Sequence, residues 1–347
     1  MNAEMSRPSS GRIAYLDALR ILCSFLVIVN HTYSYIGLDR ASSSVRFASF
    51  LALFASKIAV PVFLMISGCT LLTKTDSIAK TLRRFLRIAV SLVVFSFIYE
   101  AYGYACGNIE TLSVKRFLHS IYTVHITPAY WYLYMYAGML LMVPFLQRMV
   151  KGMSRSDFLF FFAVSLFFIG LWPMIVEYTP VSDYYARFEL PLFGAHICYM
   201  LLGYFVYTQP QRRIPLSALI LLPLLSISAC ALVTHRAFAA SGGARYLFLD
   251  NIALLPVALT SVCVFSLAAR IPLHGRIADC ARHLGNCAFG VYLLGDLTIA
   301  MLFPLLYVFL DALHPLLAVA LYQAASWLLA LAFTAVLKRI PLIGRLL

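Results

Sequence analysis

Charge is scarce in this chain, and acid is scarcest of all. Of 347 residues only 14 are Asp or Glu, against 27 Lys or Arg, and charged side chains make up 12% of the whole. A water-soluble domain carries about 25% charged and about 45–50% apolar residues; here 62% are hydrophobic and mean hydropathy is +0.87. One core cannot hide that much apolar surface, so an ordinary soluble globule is excluded and the bilayer becomes the solvent. The eight cysteines include no CxxC pair and no metal-ligand spacing, so no metal is expected. Cys23, Cys69, Cys198, Cys230 and Cys263 lie inside apolar runs, as small buried hydrophobes do, and nothing demands a disulfide. No internal repeat is visible, and no linker longer than about 20 residues interrupts the apolar runs, which speaks against a soluble appendage.

What charge there is follows a pattern. The net charge of +13 sits in short basic clusters between apolar runs, the arrangement that records membrane topology rather than nucleic-acid binding. Ten stretches reach the roughly 20 mainly apolar residues that a spanning helix needs: 14–35, 47–72, 86–106, 127–148, 157–177, 188–208, 214–235, 246–269, 285–307 and 313–337. With the N-terminus inside, the inner segments hold 18 Lys and Arg and the outer segments 7, while Arg20 and Lys57 fall within helices. A wrong helix count would scramble this alternation. The expected fold is therefore an all-α integral membrane bundle of about ten transmembrane helices with both termini cytoplasmic. Residues 1–13 form a short cytoplasmic tail and 14–347 one membrane domain. Residues 1–35 do not read as a cleaved leader: the apolar stretch is long, carries Asp17 and Arg20, and ends in NHTYSY without a small-residue cleavage site.

The ionisable residues inside these runs are the functional candidates, because a charge in the hydrocarbon costs several kcal/mol. Arg20 and His31 are eleven residues apart, three helical turns plus about 20°, so they share one face about 16 Å apart along the axis. Asp17, three residues before Arg20, can pair with it. One polar stripe facing the bundle interior results. Its bland reading is a structural ion pair with a hydrogen-bonded histidine; its functional reading is a site. In KTLRRFLRIAV, Arg84 and Arg87 share a face at the start of a span. They suit lipid-headgroup anchoring, or a phosphate site in which fork donors add to a helix N-terminus. SKIAVPVFLMISGCTLL carries a buried Lys57 near the outer end of the second span. In TPAYWYLYMYAGMLLMVPFL, Trp131 and Tyr132 form either an interfacial belt or a pocket that stacks on a sugar ring. Glu100, Glu189, His196, Asp250 and Asp296 also fall in or at apolar runs, with no role fixed by spacing.

Together these pieces resemble the acyltransferase 3 family of bacterial inner-membrane O-acyltransferases, closest to its small stand-alone carbohydrate acetyltransferases. YLDALR followed ten residues later by His31 looks like the family's opening arginine–x10–histidine signature. VPVFLMISGCTLL is similar to its second-helix signature, and RRFLR matches its RxxR pattern at Arg84 and Arg87. YWYLYMYAGMLLMVPFL matches its fourth helix, and GNCAFGVYLLGDL and KRIPLIGRLL look like its C-terminal signatures. One departure stands out. Where the late signature usually reads Tyr-Leu-hydrophobic-His, this chain has Tyr292, Leu293, Leu294 and Gly295. Either the role of that histidine is absent here, or the adjacent Asp296 takes it over.

The resemblance implies transfer of an acyl group, usually acetyl, from acyl-CoA as cosubstrate to a hydroxyl of a glycan or glycolipid at the inner (plasma) membrane, with no bound cofactor. A hydroxyl needs a base near neutrality, and His31 is the natural one. Arg20, paired by Asp17, becomes a structural or donor-orienting cation, and Arg84 and Arg87 bind the phosphates of the donor. Lys57 or Asn30 is a candidate for the oxyanion, with Trp131, Tyr132 and Glu100 as further candidates on the acceptor side. The rival expectation is a transporter or flippase for a glycan intermediate, which buried charges suit equally well, although the repeat symmetry common in transporters is missing.

Overall fold

The computed structural model describes residues 13–38, 41–123, 125–181, 191–208, 214–242 and 248–347. The tail 1–12, Glu189 and the basic pair Arg212 and Arg213 lie outside the described residues. Every regular element among the described residues is helical. In chain order the α-helices are α1 (Ala14–Thr32), α2 (Ser43–Ser56), α3 (Ala59–Ser67), α4 (Ile78–Ala105) and α5 (Val114–Thr123). They continue with α6 (Trp131–Gly152), α7 (Arg155–Ser165), α8 (Trp172–Tyr178), α9 (Ala195–Thr208), α10 (Leu216–Ala240) and α11 (Leu255–Ala268). The chain closes with α12 (Gly275–Gly285), α13 (Ala288–Met301), α14 (Phe303–Ala312), α15 (Pro315–Leu337) and α16 (Pro341–Gly344).

By length and composition seven stretches can cross a bilayer: Ala14–Ile36, Ser43–Leu72, Ile78–Ala105, Pro128–Gly152, Arg155–Tyr178, Leu216–Ala240 and Pro315–Leu337. An eighth is the pair α12 and α13, which bends by 56° at its break. The other two expected spans fall on α9 and α11, each only 14 residues long. The expected span 285–307 also ends early: α13 stops at Met301, and Pro304 then opens α14 at a position where a missing N–H costs nothing.

Capping fixes several helix starts. The Ser42 side chain accepts from Val45 N and that of Ser77 from Lys80 N, while Ser154 and Asp157 form a reciprocal capping box at the head of α7. Two spans carry π-helical turns, Gly68–Leu72 after α3 and Leu166–Leu171 after α7. Such bulges often mark functional positions, and the first borders a cavity described below.

Helix α1 is the centre of the bundle: α2, α3, α12, α13 and α15 all pack on it. Its apolar face buries Leu16, Leu19, Cys23 and Ile28. The five cysteines of the apolar runs are all buried, and no cysteine among the described residues is bridged. The tightest approach is between α3 and α9. A Cβ at Gly68 would stand 1.9 Å from the Met200 carbonyl oxygen, and one at Gly203 would stand 2.1 Å from that of Met65. Backbone lies directly on backbone here, the small-residue packing that substitutes for a hydrophobic drive in lipid. The Cys69 thiol donates to the Gly203 carbonyl at 3.1 Å in the same seam. Gly203→Ala is expected to destabilise the bundle by about 1–3 kcal/mol, as overpacking of a tight interface does. A lowered melting temperature in detergent, followed by tryptophan fluorescence, checks this.

Candidate functional site

The polar stripe of α1 exists, but it serves two chambers rather than one. Asp17, in the first turn, is fully buried and accepts a 2.5 Å hydrogen bond from Arg20 Nη1. The Arg20 guanidinium, a quarter exposed, lines a cavity of about 450 Å³. Arg84 and Arg87 from α4 line the same cavity, with Ser67, Thr70 and Asn286 as its uncharged polar groups. Three arginines that the sequence spreads over two segments are thus brought together around one space.

Each arginine is held in place. Arg84 donates to Asp76, and Arg87 Nε donates to the Leu346 carbonyl at 3.2 Å while its guanidinium lies 6.0 Å from the Phe289 ring. Asp76 is the hub of the loop before α4: it also pairs with Lys80 at 2.8 Å and accepts from Gln147 Nε2 at 3.1 Å. Gln147 in turn accepts from the Asp76 amide at 3.0 Å and donates to the Leu71 carbonyl at 2.8 Å. Burial pushes the Asp76 carboxyl up, but the hydrogen bonds from Lys80, Arg84 and Gln147, with the Arg84 charge, outweigh it and hold the group at about 2. One expectation is corrected. Helix α4 begins at Ile78, so Arg84 and Arg87 stand beyond its first turn. The helix dipole, which acts over that turn alone, adds little to an anion there.

His31, near the other end of α1, lines a second cavity of about 350 Å³ together with Asn30, Lys57, Trp131, Asp250 and Asn251. Its Nδ1 lies 3.7 Å from Asp296 Oδ1. The other carboxylate oxygen of Asp296 accepts from the Ala129 amide at 3.1 Å and from the Thr127 hydroxyl. Lys57 forms a close ion pair with Asp250 across this cavity, and Ser56 donates to Asn30 Oδ1 at 3.4 Å. Lys57 stands at the break between α2 and α3, formed by Lys57 and Ile58.

Tyr132 and Tyr292 line both cavities. Their rings meet edge to face with centroids 5.5 Å apart, and Tyr132 stacks on Tyr136 at 5.6 Å. The Tyr292 hydroxyl donates to the Ala129 carbonyl at 2.5 Å. These two rings partition the arginine chamber from the histidine chamber.

Glu100 does not belong to either chamber. It is buried on α4 and accepts from Arg116 Nη2 at 2.7 Å and Nε at 3.2 Å, so its charge is answered by α5. His196 stands with its ring centroid 6.2 Å from that of Trp131. Sequence reasoning left Asp250 without a role, offered Asp296 only as a stand-in for the missing late histidine, and passed over Asp76. The signal for Asp296 was its place beside the one departure in the late signature; its contact with His31 was not legible there. Asp76 lies in a loop with no apolar run to make its charge conspicuous.

Helices long and apolar enough to cross a bilayer, surrounding chambers lined with paired ions, define a multi-pass membrane protein with an internal polar site. Residues 13–337 match the Acyl_transf_3 family model, an acyltransferase domain, and the chain belongs to that family. It is an acyltransferase. No curated protein and no solved structure matches the chain.

The depressed Asp76 carboxyl makes a pH prediction. A group whose folded value lies below its ordinary 3.8 contributes stability above that pH and loses it as pH falls towards about 2. Asp76→Asn is expected to lower the melting temperature by a few degrees from pH 8 down to pH 5. The gap to the parent protein should close on further acidification, in melts recorded across that range.

Proposed function

We propose that the protein transfers an acyl group, acetyl in the simplest case, from acyl-CoA to a hydroxyl of a glycan or glycolipid. The reading rests on one observation above all: a chamber with three arginines and a chamber with a histidine share the walls Tyr132 and Tyr292. The phosphates of the donor lie against Arg84, Arg87 and Arg20, where fork-shaped guanidinium groups match phosphate oxygens. Its thioester passes the two tyrosines to reach the histidine. The acceptor hydroxyl sits in the second chamber, where Trp131 offers an apolar face to a sugar ring.

In the reaction, His31 takes the proton of the acceptor hydroxyl as its oxygen attacks the thioester carbonyl carbon. Asp296 holds the imidazole in register and balances the imidazolium charge, a carboxylate–histidine arrangement of general use in acyl transfer. The oxyanion of the tetrahedral intermediate falls to the Asn30 amide, whose carbonyl end is engaged by Ser56, or to Lys57. Collapse breaks the C–S bond, and His31 returns its proton to the departing thiolate. Products are the O-acyl ester and free CoA.

The topology that fits is ten crossings, with α9 and α11 as short spans and α12–α13 as a broken one. Both termini are then cytoplasmic in the inner (plasma) membrane, as the Lys and Arg distribution favours. The donor chamber faces the cytosol in this orientation. Family membership favours this reading over export of a glycan intermediate.

Purified protein given labelled acetyl-CoA and a membrane glycolipid extract is expected to release free thiol and label the extract. His31→Ala should lower kcat by about 100- to 10,000-fold, the usual contribution of a general base. Unchanged turnover in that variant overturns the assignment. Arg84→Ala should raise the KM for acetyl-CoA more than it lowers kcat, because that contact serves ground-state binding. A covalent acetyl adduct recovered on the protein would replace direct transfer with a relay.

A further inference from the structure

The hydroxyl of Tyr99, on α4, is spliced into the backbone of α13. In an α-helix the N–H of Leu297 pairs directly with the carbonyl of Leu293. Here Leu297 N donates to Tyr99 Oη at 2.9 Å, and Tyr99 Oη donates to the Leu293 carbonyl at 3.1 Å. A hydroxyl that bonds both partners of an i→i−4 pair restrains the turn between them. That turn contains Gly295 and Asp296, so the phenol acts on the stretch of helix from which the carboxylate departs.

The surroundings make this a closed set of restraints. Tyr130 Oη donates to the same Leu293 carbonyl at 2.9 Å, and its ring lies 5.4 Å from that of Tyr99. The turn that holds Tyr130 supplies the two donors to Asp296 Oδ2, from Thr127 and Ala129, and is tied back to α13 by Tyr292. With one oxygen fixed in this way, the other is aimed at His31 Nδ1, 3.7 Å away. Of these groups, Tyr99 is the one that touches both backbone partners flanking Asp296.

We propose that Tyr99 is a positioning residue: its hydroxyl sets the α13 backbone so that Asp296 faces His31. The inference rests on the reading of His31 and Asp296 as a working pair. A shift of about 1 Å in such a pair can cost up to about 100-fold in rate, and loss of one hydrogen-bonding hydroxyl sets the scale nearer ten-fold.

The test is Tyr99→Phe, which keeps the ring and removes the bridge. In the thiol-release assay with acetyl-CoA and glycolipid extract, kcat should fall about ten-fold with the acetyl-CoA KM within about two-fold of the parent. Tyr130→Phe, which loses a bond to Leu293 but leaves the bridge, should cost less. In an Asp296→Asn background, Tyr99→Phe should add nothing further, since it acts through that carboxylate. A readout free of any acceptor is the rate at which diethyl pyrocarbonate labels His31 in intact membranes, followed by peptide mass spectrometry. Lys57, Asp250 and the chamber tyrosines are unchanged in every variant, so Tyr99→Phe should move the rate towards that of Asp296→Asn. Parent-like kcat and labelling in Tyr99→Phe, beside an impaired Asp296→Asn, overturn the inference alone; so do additive losses in the double variant, or equal losses in Tyr130→Phe. An Asp296→Asn protein indistinguishable from the parent in both assays overturns the pair, and the inference with it.

Discussion

Most of the ions that the described residues carry into the bundle are met by a counter-ion, and much of the structure is arranged around that necessity. Asp17 holds Arg20, Asp250 holds Lys57, Asp296 faces His31, and Arg116 reaches Glu100. In a medium that cannot solvate charge, an uncompensated ion costs far more than its pairing returns in water. With so few acids in the sequence, their placement is effectively the placement of the pairs. Three of the four pairs belong to the walls or the immediate surroundings of the two chambers; the fourth ties α5 to α4.

The pairs also explain how one helix can serve two spaces. Helix α1 presents Arg20 to one chamber and His31 to the other; Arg20 is answered by Asp17 on the same helix, and His31 by Asp296 of α13. Most of its remaining surface is packed against six other helices, which fixes its rotation and therefore the aim of both side chains. Loops and breaks do the finer work. Lys57 lies at the interruption after Ser56, and the loop before α4 carries the carboxylate that holds Arg84.

Much of this was legible in the sequence because lipid makes charge conspicuous. The helical class, the membrane setting, the stripe on α1 and the shared face of Arg84 and Arg87 follow from periodicity and composition. The partner of Glu100 was not legible: Arg116 belongs to a neighbouring helix whose approach no pattern reveals. Asp296 could be seen but not aimed, since its contact with His31 depends on how α13 docks across the bundle. The split into two chambers was hidden altogether. It arises from two aromatic rings in distant segments, and helical wheels carry no information about what lies between helices.

The tyrosine partition bears on the electrical insulation of the cell. A bilayer normally drops its voltage across a hydrocarbon layer of about 30 Å. Were the two chambers to open on opposite faces, the drop would be compressed into what divides them, the rings of Tyr132 and Tyr292. In that arrangement the acyl carbonyl would cross a region of concentrated field, and the same two rings would stand between the cytosol and a leak of protons.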